Sequence, residues 1–200
     1  MKLIKINDKI AHLKFVNRVE MCKTMLRPSE FVECPNFKGK VFTLKEYKEW
    51  YTKRNGKFSY YTDWSGFNTP MKEFLLFKKL FKLSSRERQL SSLLKKLPDD
   101  SCLISTYEGS DPSIFEHEMC HAFYNTDLSY RREVDVVMDH CAWDCLPLIS
   151  FLLSIGYGPG VIKDECHAYL CNDSEYLAKN GVRIPNVVEL LQNIKSKYWG

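Results

Sequence analysis

Nothing in these 200 residues is both long and apolar enough to cross a bilayer: the longest apolar stretch, "CLPLISFLLSIGYG", is interrupted by Pro147 and Gly156. The opening "MKLIKINDKI" alternates charged and apolar residues and lacks the continuous apolar core of a secretory signal, so a cytoplasmic location without membrane attachment is expected. There is no C-x-x-C pair among the eight cysteines. With no sign of export, those cysteines read as reduced thiols rather than as a disulfide framework. Cys141 and Cys145 form C-x-x-x-C, a weak metal-like pattern that small core residues explain better. Internal repeats, low-complexity runs and Gly/Ser-rich linkers are also absent, which predicts one domain over residues 1–200.

What is present supports a packed fold. Apolar residues make up 44% of the chain and aromatics 14%, too many for a disordered chain. Charge is unevenly spread. Residues 1–100 carry 22 Lys and Arg against 11 Asp and Glu, a net +11, whereas residues 101–200 carry 7 against 14, a net −7. This divides the expected domain into a basic N-terminal lobe, 1–100, and an acidic lobe, 101–200. The basic lobe raises nucleic acid as a partner, but its lysines are dispersed, as on solvated helix faces, which disfavours that reading.

Local signals place the elements. "KLIKI" and "AHLKFV" alternate as short strands do. Thr43 with Glu46, and Ser84 with Glu87, are capping boxes opening helices over 44–54 and in "SSRERQLSSLLKKL" before Pro98. "GKFSYYTDW" alternates as a strand, and "DWSGFNTP" reads as a structured loop with Trp64 and Phe67 as core plugs rather than groove residues. "CLISTY", 102–107, is a strand. Asp111 as N-cap and Pro112 at the first position start a helix, with Ser113 and Glu116 offering a second register; beyond it "YRREVDVVMDHCAW", "PLISFLLSI", "VIKDECHAYLC" and "NVVELLQNIKSKYW" are helical. The fold class is α+β: a mixed N-terminal half with short strands and a mainly helical C-terminal half.

Only five histidines occur, and two of them stand in "FEHEMCHAFY" as His117-Glu118-x-x-His121. Residues four apart on a helix project from one face, so both imidazoles can hold one ion, and zinc suits such a pair. Glu118 lies about 100° around the helix, away from the ligand positions yet within reach of a metal-bound water, where a general base belongs. Random placement would produce this pattern roughly once in a hundred such sequences, and the helix start just before it lowers the odds of coincidence further.

A strand, a helix bearing "HEMCH" and a later helix with an acidic residue resemble the zincin metallopeptidases. No histidine follows at the spacing of the extended motif, and Tyr124 stands where its glycine would be, so the chain is similar to the gluzincin branch, whose third ligand is a glutamate. The resemblance covers roughly 102–171. It implies a zincin-like fold with a Zn2+ cofactor on His117 and His121, Glu118 as catalytic base, a protein or peptide substrate, and "CLISTY" as the sheet edge that receives it. It also favours Glu165, in "DECHAYL", as third ligand. His140 comes next, with Glu133 and Asp139 as further competitors and Asp164 as a carboxylate partner for a ligating histidine. Tyr169, His167, Tyr157 and His140 are open candidates for stabilising the transition state. Two other readings stay in view: a nucleic-acid-associated protein, and a zinc-binding scaffold without activity.

Overall fold

A computed structural model describes residues 1–199. In chain order the elements are β1 (Lys2–Lys5), β2 (Ile10–Phe15), α1 (Arg18–Glu33), α2 (Leu44–Asn55), α3 (Tyr60–Asp63), β3 (Phe67–Pro70), α4 (Met71–Leu80), α5 (Ser85–Leu93) and β4 (Cys102–Tyr107). After them come α6 (Pro112–Thr126), α7 (Leu128–His140), α8 (Leu146–Ile155), α9 (Ile162–Asn172), α10 (Ser174–Lys179) and α11 (Pro185–Trp199). The class is therefore α+β, with strands confined to the N-terminal part. None of the helices is long and apolar enough to cross a membrane among the described residues.

The chain divides into two compact units, Met1–Ser110 and Asp111–Gly200, each with an apolar core of its own. The boundary falls beyond residue 100, where the charge changes sign, because β4 is hydrogen-bonded into the first unit's sheet.

That sheet has the order β1-β2-β4-β3, with β2 and β4 parallel and both outer pairings antiparallel. It corrects one expectation. "CLISTY" is β4, an inner strand whose two flanks are taken by β2 and β3, so no peptide can add to it. The edges are β1 and β3, and β3 ends in Pro70, a residue that sheets confine to edges and strand ends.

Two further readings change. "GKFSYYTDW" is not a strand: the Asp63 carboxylate accepts hydrogen bonds from Tyr51 and from Ser59 (2.7 Å), and Thr62 Oγ1 donates to the Ser59 carbonyl (2.8 Å), winding Tyr60–Asp63 into a helical turn. Part of "DWSGFNTP" is a strand, with Asn68 accepting from the Cys102 thiol at 2.8 Å. Phe67 is buried and Trp64 packs against the same core, as expected of plugs.

Both capping boxes form, and Gly56 ends α2 in the left-handed conformation at φ 78°. Glu87 does more than cap α5. Its carboxylate also receives a two-pronged hydrogen bond from Arg27 on α1, the two side chains being 4% and 15% exposed. Arg27 lies over Phe77 and Phe81 as well. Glu87→Ala therefore removes a cap and strands a guanidinium in an apolar setting. The expected loss is about 3 kcal/mol in urea denaturation; a loss below about 1 kcal/mol would mean the pair behaves as a solvent-screened one.

Candidate metal centre

The second unit brings α6 and α9 face to face. Asp111 caps α6 by accepting from the Ser113 amide at 2.9 Å, and Pro112 opens the helix, which fixes the phase of everything after it. On that phase His117 and His121 share a face, their rings 4.9 Å apart and their Nε2 atoms 3.2 Å apart. Gly156, at φ 112°, ends α8, and α9 starts after the following turn with Asp164 and Glu165 in its first turn.

Glu165 Oε2 lies 3.8 Å from His117 Nε2 and 3.7 Å from His121 Nε2. It is buried and has no hydrogen-bond partner. A tetrahedral zinc ion with bonds of about 2.0–2.2 Å holds its ligands roughly 3.3–3.6 Å apart. The three atoms here, separated by 3.2, 3.7 and 3.8 Å, already have nearly that spacing. The residues present fit a metal ion.

The far side of each imidazole is held by a carboxylate. His117 Nδ1 meets Asp173 Oδ2 at 2.7 Å, and His121 Nδ1 meets Asp164 Oδ1 at 2.9 Å. With Nδ1 engaged, both rings turn their Nε2 atoms toward Glu165, the arrangement in which an outer carboxylate orients a metal-ligating histidine.

Such a cluster cannot stand uncompensated. Burial works against charge on His117, yet the carboxylates of Asp173 and Glu165 overcome it and raise its pKa to about 9. His121 is also raised well above its usual value: burial again opposes, and Asp164 and Glu165 win. Asp164 resists burial because of the positive charge and hydrogen bond of His121, which keep it well below the usual carboxylate range. Burial pushes Glu118 up, partly offset by the two histidines. Positive charge on the imidazoles is favoured by these carboxylates, and a divalent cation would answer the same demand.

The other sequence candidates sort clearly. Tyr169 sets its ring edge-on to His117 at 5.0 Å, and its hydroxyl is 3.2 Å from that of Tyr157. His167 is fully buried and turns to Tyr130, away from the three ligand atoms. His140 is exposed at the end of α7, hydrogen-bonded to the Val136 carbonyl. Asp139 pairs with Lys163 at 2.6 Å, and Glu133 with Tyr198 at 2.7 Å. None of these last three joins the cluster. Cys145 is a buried core residue and Cys141 packs beside it, as read from the sequence, and all eight cysteines are free thiols. Sequence reasoning missed Asp173, an acid just beyond α9 with no motif to mark it, and a grouping of Cys120, His167 and Cys171, whose one local trace is that His167 and Cys171 stand four apart.

No protein-family model, curated protein or solved structure matches this chain. Its chemistry must be argued from its own geometry.

If Asp173 orients His117, Asp173→Asn should weaken zinc binding about 10- to 100-fold with the fold intact. Competition against a chromophoric chelator measures this, and an affinity within twofold of the unaltered chain would show that the hydrogen bond is incidental.

Proposed function

We propose that this chain is a zinc-dependent metallopeptidase of gluzincin type that hydrolyses a peptide bond in a protein or peptide. One observation carries the reading: a buried Glu165 carboxylate oxygen, without a hydrogen-bond partner, facing the Nε2 atoms of His117 and His121 on a helix that also bears Glu118. His117, His121 and Glu165 would hold the ion, and three protein ligands leave one position open, as hydrolytic zinc sites require. Bound zinc would supply a Lewis acid that lets a water molecule lose its proton near neutral pH.

Glu118 is the group that takes that proton. It is not one of the three converging ligand atoms, it lies within electrostatic reach of both histidines, and burial moves its pKa upward, toward the range where a base is effective. The same carboxyl then passes the proton to the leaving amine. The Tyr157 and Tyr169 hydroxyls, paired beside the cluster, are the donors best placed to steady negative charge on the scissile carbonyl. Substrate must be held by something other than β4, which has no free edge.

Base and ligand roles can be separated. Glu118→Gln should keep stoichiometric zinc while hydrolysis of a fluorogenic peptide library falls by about 10²- to 10⁴-fold. Loss of zinc from that variant with its fold retained would make Glu118 a ligand. A zinc-loaded unaltered chain that turns over no library member would point to a scaffold instead of an enzyme.

A further inference from the structure

Behind His121, α6 and α9 meet at a second cluster. Ligand atoms of Cys120, His167 and Cys171 all lie within 4.8 Å of one another. The three residues are 0%, 0% and 4% exposed. Buried free cysteines usually act as small apolar fillers, but polar side chains reach into this cluster. The Asn172 amide donates to Cys120 Sγ at 3.0 Å. The Tyr130 hydroxyl on α7 is 2.7 Å from His167 Nε2. His167 Nδ1 lacks a hydrogen bond of good geometry, and the oxygen nearest to it in an ion pair is Asp164 Oδ1, at 3.5 Å.

We infer that Cys120, Cys171 and His167 form a second, structural zinc site that joins α6 to α9. Two thiolates and an imidazole are a soft donor set that selects zinc over the hard divalent cations. Charge supports the choice: binding releases the two thiol protons, and two thiolates neutralise the ion, so the loaded site is neutral within its apolar surroundings. The three donors are 0–4% exposed and the Tyr130 hydroxyl lies against His167, so the site is closed to a substrate, as a structural site is and a hydrolytic one is not.

Asp164 links the two centres. Its Oδ1 lies 2.9 Å from His121 Nδ1 and 3.5 Å from His167 Nδ1, so one carboxylate faces an imidazole of each set. This second site does not depend on the peptidase reading, since none of its donors belongs to the His117, His121 and Glu165 set.

The test uses full-length chain purified under reducing conditions, with metal counted by elemental analysis and cobalt(II) as a spectroscopic stand-in. The unaltered chain should carry two zinc ions, and its cobalt form should show the near-ultraviolet charge-transfer band of thiolate ligation. Cys171→Ala should lose one ion and the band. The His117→Ala/His121→Ala variant should lose one ion and keep the band. A cobalt-loaded unaltered chain that binds a single ion without the thiolate band overturns the second site and leaves the first untouched. That spectrum decides even if Cys171→Ala fails to fold. A chain with the thiolate band whose metal content does not change in the His117→Ala/His121→Ala variant keeps this site and removes the peptidase reading.

Discussion

A carboxylate withdrawn from water must meet a proton or a cation, and the second unit is organised around that requirement. Glu118, Asp164, Glu165 and Asp173 converge with His117, His121 and His167 between α6 and α9. The acids outnumber the imidazoles. Leaving one such charge buried and unpaired costs several kcal/mol, more than most single side chains contribute to a fold, so the packing of the two helices and the charge state of the cluster are one problem. The surrounding apolar core, from Tyr130 and Val134 through Leu148, Leu152 and Leu170 to Leu191, fixes the helices where that problem must be solved.

The first unit meets the same constraint differently. Glu30 on α1 is buried at 6% exposure with no histidine beside it; burial raises its pKa, and the hydroxyls of Tyr60 and Tyr47 offset only part of that rise. A carboxyl in that setting tends toward its neutral form, which leaves no demand for a cation. Two buried acid environments in one chain thus lead to different chemistry. Hydroxyls steady an acid in place, whereas paired imidazoles whose Nδ1 atoms face carboxylates create a candidate position for a metal ion.

The parts that could be read from sequence are those decided within one or two turns. Capping residues at Thr43, Ser84 and Asp111 signal helix starts, and the i, i+4 spacing of His117 and His121 signals a shared face, because both depend on neighbours a few positions away. The parts that could not be read depend on partners far along the chain. Asp173 matters only because α9 ends opposite His117, and Cys120 joins His167 and Cys171 across 47 and 51 positions. α1 escaped notice for a related reason: it buries Thr24, Ser29 and Glu30 along with Met21, Met25 and Phe31, so no apolar stripe marks it, and Pro28 interrupts the pattern. Alternation misled at Phe58 and Tyr60, where side-chain bonds to Asp63 outweighed strand propensity. Whether a strand lies inside a sheet or at its edge, as for β4, is settled by the other strands and by nothing in "CLISTY" itself.

Helix placement separates Glu165 from His140. The N-terminus of a helix carries partial positive charge and its C-terminus partial negative charge, an effect of about 0.3–1 kcal/mol for a suitably signed side chain. Glu165 and Asp164 occupy the first turn of α9, the helix end whose partial positive charge suits acidic side chains. His140 occupies the last turn of α7, where a basic side chain complements the helix's partial negative charge. It is also exposed and hydrogen-bonded through Nδ1 to its own helix. A glutamate at the start of one helix and a histidine at the end of another are both conventional surface placements, and only the packing of α9 against α6 turns the former into a candidate ligand position. The choice between the two follows from which helix end is brought to His117 and His121, and the chain's glycine-rich turn at 156–160 brings the N-terminus of α9.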